Sequence, residues 1–208
     1  TDPRVLLFDE PLSALDRNLR ETLKYNILEL QRRTGKTAIY VTHDQSEAFA
    51  ISDRIVVMDH GHVEQIGTQT DIYLRPQSDF VAEFIGANNR LDGQISDITS
   101  EVMTVQAGQL MVYCPPRIGL KLGDSVIAYI RPEDITVVQN GNNKSYRNLV
   151  EGTVEQIIFE GPTAQLRVKG SGQTLRVDVA GSERLKLLDQ RGLIRLGFDE
   201  VNLIPFNV

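Results

Sequence analysis

The chain has 208 residues, of which 41% are hydrophobic and 24% are charged, and its formal net charge is −6. This length suits one large or two small globular domains, since domains typically contain about 100–150 residues. The composition excludes wholesale disorder. It also argues against direct nucleic-acid binding, because no Lys/Arg cluster is dense enough to follow a phosphate backbone. The single cysteine, Cys114, excludes an internal disulfide framework and fits a reducing compartment.

The first part of the chain, up to about Gly86, alternates strand-like and helix-like segments. The apolar run Val5–Phe8 predicts a strand buried on both faces of a parallel sheet. A helix is predicted over Arg17–Thr34, with Asp16 as its N-cap and Gly35 as its end. The following predicted elements are strands at Thr37–Thr42 and Arg54–Met58, helices at Gln45–Ile51, Thr70–Leu74 and Asp79–Ile85, and a hairpin strand at Val63–Ile66. The strand–helix–strand order predicts a parallel sheet with right-handed crossovers.

The second part of the chain, from about Arg90, has the two-residue alternation of β-strands and no long helical periodicity. Two short segments recur in the same order: LDGQI at residue 91 with VEGTV at residue 150, and IRPEDI at residue 130 with LGFDEV at residue 196. The recurrence favours two tandem small barrels over one continuous sheet. Strands are predicted at Gly152–Ile158, Ala164–Val168 and Thr174–Val179. Gly141-Asn142-Asn143 predicts an exposed polar turn or flexible loop.

Two adjacent carboxylates, Asp9 and Glu10, follow the first predicted strand. Ligands of open α/β sheets bind at this carboxyl edge. One carboxylate could hold Mg²⁺, and the other could orient or deprotonate a water that attacks a γ-phosphate. The alternative is that Asp-Glu-Pro only ends a strand and begins a turn. His43 ends the neighbouring predicted strand, so parallel pairing would bring its imidazole close to both carboxylates.

Three segments together resemble the nucleotide-binding subunit of an ABC importer: LLFDEPLSALD, IYVTHDQSEAFAISDRIVVMDHGHVEQIG and YLRPQSDFVAEFIG. The resemblance covers roughly residues 1–86 and implies the C-terminal portion of a P-loop NTPase fold that uses ATP and Mg²⁺. It implies that Asp9 is the Walker B aspartate that binds Mg-ATP, and that Glu10 is the catalytic glutamate. Ser13 to Asp16 would be the D-loop at a dimer interface, and His43 the catalytic switch histidine.

Residues 87–208 resemble the TOBE-type regulatory domain of importers of the maltose, sulfate, iron and polyamine type. Ile130-Arg131-Pro132-Glu133 is similar to a recurrent segment of that domain, which folds as paired barrels of the oligonucleotide-binding type. The resemblance therefore implies an α/β partial parallel sheet followed by an all-β domain of two OB-like lobes.

The sequence contains no G-x-x-x-x-G-K-[ST] phosphate loop. Gly35-Lys36-Thr37 has the right ending, but Leu30 stands where the earlier glycine belongs, and the segment joins a helix to a strand. The chain begins without Met, which is typical of a truncation, and we expect the phosphate loop, glutamine loop and LSGGQ-like segment to precede Asp2. The chain alone is thus expected to bind Mg-ATP weakly or not at all. Its half-sheet is expected to expose apolar surface, covered by another copy or by the preceding half.

The sequence leaves three functions open. The resemblance favours the ATP-hydrolysing, energy-coupling subunit of an import system. Such a subunit would be a homodimer on the cytoplasmic face of the bacterial inner membrane, bound to permease subunits and served indirectly by an extracytoplasmic solute-binding protein. A second possibility is a sensor domain that binds a small oxyanion through arginines such as Arg131 and Arg147, unless these are solvated surface residues. The third is a soluble ABC-type ATPase of repair or translation. The β-domain disfavours this possibility, because it resembles the import branch. The transported substrate stays open; Asn89-Arg90-Leu91 resembles sulfate-type members, with iron and polyamines as alternatives.

Overall fold

The computed structural model describes residues 3–86, 88–138, 145–187 and 192–208. The turn predicted at Gly141-Asn142-Asn143 lies outside these residues. The chain divides into two compact units, residues 1–81 and residues 82–208, called here the N-terminal and C-terminal units. The domain boundary expected near residue 86 stays a prediction. Among the described residues, no helix is both long enough and apolar enough to cross a membrane.

The N-terminal unit begins with a strand–helix–strand unit made of β1 (Val5–Asp9), α1 (Arg17–Thr34) and β2 (Thr37–Val41). The two strands are parallel and in register from Val5 opposite Thr37 to Asp9 opposite Val41. The predicted bounds of α1 are confirmed. The Asp16 carboxylate caps the first turn, and Gly35 ends the helix in the left-handed conformation that glycine tolerates best.

The remaining elements of this unit are α2 (Gln45–Ile51), β3 (Ile55–Asp59), β4 (His62–Gly67) and α3 (Gln69–Leu74), followed by the start of α4 (Asp79–Phe84). The hairpin prediction is confirmed, because β3 and β4 pair antiparallel. They form a two-stranded sheet of their own, so the third predicted strand does not extend the β1–β2 sheet.

The prediction that β1 is buried on both faces is wrong. Val5 and Leu7 are 49% and 70% exposed, and Ile39 and Val41 on the same face of β2 are 54% and 45% exposed. The physical reason is that burial on both faces needs a layer on each side, and the described residues supply no layer over this face. The apolar exposure expected for a half-sheet is therefore present.

The C-terminal unit contains two five-stranded antiparallel sheets. The first is ordered β14-β8-β5-β6-β7 and the second β12-β11-β10-β13-β9. The strands are β5 (Asn89–Ile98), β6 (Met103–Ala107), β7 (Leu110–Cys114), β8 (Ser125–Ile130), β9 (Thr136–Val138), β10 (Asn148–Phe159), β11 (Thr163–Gly170), β12 (Gln173–Ala180), β13 (Gly192–Phe198) and β14 (Ile204–Asn207), with a short helix α5 (Glu183–Leu187) after β12. Buried side chains of both sheets form one hydrophobic core.

The two sheets are built from two equivalent repeats, residues 89–138 and 148–207. β5 and β10 occupy the same place in their sheets, and each carries an irregularity at the matching point, after Ile95 and after Val154. Each repeat then passes through a short 3₁₀ turn, at Pro132–Asp134 and at Glu200–Asn202, into its last strand. That last strand joins the other sheet: β9 pairs with β13, and β14 pairs with β8. The repeat predicted from the recurring segments is confirmed: it forms two sheets that exchange their edge strands. The closure of these sheets into OB-type barrels stays a prediction.

Candidate functional site

The site begins where β1 ends. Asp9 lies opposite Val41 as the last pair of the parallel ladder, and the Glu10 amide continues the ladder by donating to the Val41 carbonyl at 2.9 Å. Glu10 then adopts a φ of 45°, in the left-handed region that non-glycine residues rarely occupy. This reversal directs the chain away from the strand immediately after the two carboxylates.

The turn after Glu10 is held by Ser13. The Ser13 hydroxyl and amide both donate to the Glu10 carbonyl, at 2.9 and 3.3 Å. Leu12 between them is only 2% exposed and anchors the turn in the unit's interior. Ser13 therefore stabilises the left-handed backbone at Glu10, which is a positioning contact visible in this structure.

The structure brings Glu10 and His43 together. His43 follows β2 at the same sheet edge, and its Nδ1 lies 3.1 Å from Glu10 Oε1. The side chains are 46% exposed at Glu10 and 72% exposed at His43, so both are accessible from solvent. An Nδ1–H that donates to the carboxylate leaves Nε2 of the ring available to a second partner. The predicted proximity of His43 to the strand-end carboxylates is confirmed for Glu10.

A buried network that sequence reasoning missed fixes the segment around His43. Glu47 in the first turn of α2 is 2% exposed, and its Oε2 accepts from the Thr42 hydroxyl at 2.8 Å and from the Tyr40 hydroxyl at 3.0 Å. Burial and the Glu47 carboxylate raise the pKa of Tyr40 well above its usual value. The signal in the sequence is the acidic residue three positions after Asp44, the N-cap of α2.

Arg20 of α1 connects this network to the first helix. Its Nη1 lies 3.4 Å from Asp44 Oδ2, and its Nε lies 3.9 Å from Glu47 Oε1. Burial raises the pKa of the Asp44 carboxyl, but hydrogen bonds from Ser46 and Glu47 and the nearby Arg20 charge outweigh it, so the net pKa lies below its usual value. The residues on either side of His43 are thus tied to α1 and α2.

The Asp16 side chain makes structural hydrogen bonds within the N-terminal unit. Its Oδ1 accepts from the amides of Asn18 and Leu19, both at 3.0 Å, and thereby caps α1. The Arg20 guanidinium also donates to the Leu15 carbonyl at 3.0 Å, which secures the residue before the cap. The structure therefore assigns Asp16 a capping contact, and its D-loop role stays a prediction.

A Mg²⁺ ion would have to be held largely by its substrate and by water. Among the residues that the structure describes, no group of three or more His, Cys, Asp or Glu side chains could hold a metal ion. The exposed Asp9 carboxylate does offer the hard oxygen donor that Mg²⁺ prefers. Because Mg²⁺ in nucleotide sites is commonly bound by one or two carboxylates together with phosphates and water, the donor set fits such an ion.

The two arginines considered for oxyanion binding both have protein partners. Arg131 is 6% exposed and donates from Nη1 to the Ile85 carbonyl at 3.0 Å, so the description of it as a solvated surface residue is wrong. Arg147 Nη1 lies 3.2 Å from Glu200 Oε1, and its guanidinium stands 5.9 Å from the Tyr113 ring centroid. The two side chains serve different contacts and do not form a shared pocket.

Comparisons with known proteins agree with these observations. Residues 128–205 match the TOBE domain family. The chain is 39% identical over 175 residues to the spermidine/putrescine import ATP-binding protein PotA of Onion yellows phytoplasma, covering 84% of this chain and 40% of that protein. It is 38% identical over 181 residues to the Fe(3+) ions import ATP-binding protein FbpC of Photorhabdus laumondii, covering 87% of this chain and 48% of that protein.

A further relative is the protein PotA of Nitrosomonas eutropha, 43% identical over 160 residues, with 76% of this chain and 44% of that protein covered. Among solved structures, the cytoplasmic molybdate-binding protein ModG aligns with a TM-score of 0.49 and 19% identity, over 60% of this chain and 99% of that chain. The chain spans less than half the length of the curated relatives it matches. The resemblance predicted from sequence is confirmed: this chain carries a TOBE domain and matches the C-terminal half of ABC importer ATP-binding subunits.

Proposed function

We propose that this chain is the C-terminal part of the ATP-hydrolysing subunit of an ABC import system for a small solute. One observation carries the proposal. The Glu10 carboxylate and the His43 imidazole meet at 3.1 Å at the carboxyl ends of two parallel strands. They do so in a chain that is similar to import ATP-binding subunits over more than three quarters of its length.

In this proposal Glu10 orients or deprotonates the water that attacks the γ-phosphate. The left-handed turn at Glu10 and the Ser13 hydrogen bonds hold the carboxylate beyond the end of the sheet. His43 positions Glu10 through Nδ1 and presents Nε2 to the phosphate, so that loss of the γ-phosphate removes one of its two partners. Asp9 binds Mg²⁺ directly or through water, and the ion, when bound, neutralises charge on the phosphates.

The proposal extends to the assembly. Ser13 and Asp16 belong to the D-loop of a homodimer, which works with permease subunits on the cytoplasmic face of the inner membrane. The C-terminal unit acts as a regulatory domain of two OB-like lobes, and the N-terminal unit belongs to a P-loop NTPase fold. The permease and an external solute-binding protein select the solute.

The proposal also holds that the 208-residue chain alone is inactive. Its sequence contains no phosphate loop. In the structure, Gly35 is the C-cap of α1, and the Lys36 carbonyl accepts from the Gln31 side chain at 3.3 Å, so Gly35-Lys36-Thr37 ends a helix where a phosphate loop would begin one. Isothermal titration with Mg-ATP should show no saturable binding in the micromolar range, and micromolar affinity would contradict this part of the proposal.

A matched pair of histidine variants tests the role of the site in a full-length protein that contains these residues. His43 and His60 each place Nδ1 close to a carboxylate, at 3.1 Å from Glu10 and at 2.7 Å from Asp59. Only His43 lies at the edge formed by β1 and β2. His43→Ala should lower the rate of ATP hydrolysis by roughly 100-fold or more, as expected for a lost acid–base or positioning group. His60→Ala should leave it unchanged, and equal rates in the two variants would refute the proposal.

A further inference from the structure

The direction of the His43 side chain depends on the turn between β2 and α2. His43 lies between the end of β2 at Val41 and the start of α2 at Gln45. Its side chain is mostly exposed, and among the described residues its hydrogen-bond partner is Glu10 alone. Because the ring has one polar contact and little cover, the backbone of the turn decides where the imidazole points.

Three hydrogen bonds form a closed ring around this turn. The Thr42 hydroxyl donates to Glu47 Oε2 at 2.8 Å and accepts from the Asp44 amide at 2.9 Å. The Glu47 amide donates to the Asp44 carbonyl at 3.1 Å, which closes the ring. The ring contains the residues on both sides of His43 and uses neither nitrogen of its imidazole. It therefore holds the backbone that carries the imidazole and leaves both nitrogens available to other partners.

Helix α3 shows that the capping of a helix does not require such a ring. At α3 the Asp71 carboxylate accepts directly from the amide of Thr68, the N-cap residue, at 3.1 Å. This contact is part of a capping box. At α2 the N-cap amide, of Asp44, donates to the Thr42 hydroxyl, and this hydroxyl donates to the Glu47 carboxylate. The inserted hydroxyl extends the cap of α2 back to the residue that follows β2.

The Glu47 carboxylate is the fixed point of the ring. It is almost fully buried, and its Oε2 also accepts from the Tyr40 hydroxyl at 3.0 Å. Two hydroxyl donors at one oxygen are typical of an ionised carboxylate, which only accepts hydrogen bonds. A buried charge needs a counter-charge, and Arg20 supplies it with Nε 3.9 Å from Glu47 Oε1. That distance is longer than a hydrogen bond, so the hydroxyl groups make the short contacts of this carboxylate.

We propose that Thr42 and Glu47 are positioning residues for His43, because their hydrogen bonds set the turn from which His43 meets Glu10. The inference rests on the proposed role of His43 in ATP hydrolysis and adds two residues that act through it. Loss of the Thr42 hydroxyl leaves the Glu47 carboxylate and the Asp44 amide each without one partner. The turn then relaxes, and part of the population loses the contact between His43 Nδ1 and Glu10 Oε1.

A purely structural role of the Thr42 hydroxyl would have different consequences. It would lower the free energy of unfolding and leave turnover by the folded protein unchanged. A positioning role lowers kcat as well, since a displaced catalytic group slows the chemical step while ATP binding is retained. Thr68 provides a matched control. Its hydroxyl also donates to a carboxylate in the first turn of a helix, at Asp71, and also accepts from a backbone amide.

The first test measures steady-state ATP hydrolysis by a full-length protein that contains this chain. Thr42→Val replaces the hydroxyl by a methyl group and should lower kcat about tenfold or more, with KM for ATP changed by less than about twofold. Thr42→Ser keeps the hydroxyl and should restore kcat, and Thr68→Val should leave it unchanged. Equal kcat values in the two valine variants, or no recovery in Thr42→Ser, would overturn the inference.

The second test needs no ATP and uses NMR of the histidine rings in the 208-residue chain. The chain contains three histidines, and their ring-nitrogen resonances show which nitrogen carries the proton. His43 should carry it at Nδ1, the nitrogen close to Glu10. Thr42→Val should give a mixture of both tautomers, and so should Glu47→Gln, which keeps the shape of the side chain if the valine variant does not fold. His60 should stay unchanged throughout, and a His43 tautomer that is the same in every variant would refute the positioning role.

The two tests separate this inference from the proposed function. If His43→Ala hydrolyses ATP at the normal rate, the proposed function fails, and the tautomer of His43 alone decides whether Thr42 and Glu47 orient its ring. If His43→Ala is slow and Thr42→Val has a normal kcat, the proposed function stands and the inference is wrong. A loss of kcat in both, with recovery in Thr42→Ser, supports the two together.

Discussion

Asn148→Ala should destabilise the C-terminal unit as a whole. Asn148 is 2% exposed and comes from the second repeat, but its side chain binds the backbone of Tyr113 in the first. Its amide group donates to the Tyr113 carbonyl at 2.9 Å and accepts from the Tyr113 amide at 2.7 Å. The substitution removes both bonds and leaves a backbone donor and acceptor without partners.

The magnitude follows from these two bonds. Each contributes about 1 kcal/mol net, and a backbone group left unpaired in a partly buried setting adds a further cost, so the total is about 2–4 kcal/mol. Asn89→Ala should cost a similar amount, because Asn89 makes the same pair of bonds to Arg176. Asn207→Ala, at an exposed asparagine of β14, should change the free energy of unfolding by less than about 0.5 kcal/mol.

Urea denaturation followed by circular dichroism measures these differences. Each sheet takes its last strand from the other repeat, so the C-terminal unit should unfold in one transition in the Asn148 variant as in the unsubstituted chain. The expected role of the Asn148 side chain would be refuted if Asn148→Ala behaved like Asn207→Ala. It would also be refuted if the transition of the C-terminal unit split into two, one for each sheet.

Three further predictions concern other contacts. Gly93→Ala and Gly152→Ala should each cost about 1–3 kcal/mol in urea denaturation, because an added Cβ would lie 2.6 Å from the Gln106 carbonyl oxygen or 2.7 Å from a Val168 methyl; a cost near zero would contradict the packing. Asp44→Asn keeps an N-cap but removes a carboxyl whose folded pKa is lowered, so the variant should be less stable than the unsubstituted chain at neutral pH. That difference in the free energy of unfolding should disappear as the pH falls below about 4. A difference that stays constant with pH would show that the Asp44 charge is not its cause. Glu47→Gln should lower the pKa of Tyr40 toward its usual value, as followed by NMR of the ring, and an unchanged value would show that burial alone raises it.

Local sequence signals predicted the helix α1 and the separate strands well. The bounds of α1 depend on a capping carboxylate at Asp16 and a left-handed glycine at Gly35, and both act within a few residues of the helix end. The Glu10–His43 contact was also predictable. It needs only that two strands joined by a helix run parallel, which places their carboxyl ends side by side.

What the sequence could not predict depends on partners far along the chain. The apolar pattern of Val5–Phe8 is the same whether or not a further layer covers it, so the exposure of Leu7 had no local signal. The two sheets are similar and offer equivalent edges, so the sequence does not indicate that β9 and β14 each pair with the sheet of the other repeat. Arg167 and Arg176 each occupy an outward position of an alternating strand, and only the register shows that they face each other.

The central claim is that Glu10 activates water for ATP hydrolysis at the edge formed by β1 and β2. The most direct test is the rate of phosphate release by a full-length protein that contains this chain, with Glu10→Gln compared with Asp59→Asn, which alters the other histidine–carboxylate pair. If the claim holds, Glu10→Gln retains Mg-ATP binding and loses phosphate release, while Asp59→Asn retains both. Normal phosphate release by the Glu10 variant would contradict it.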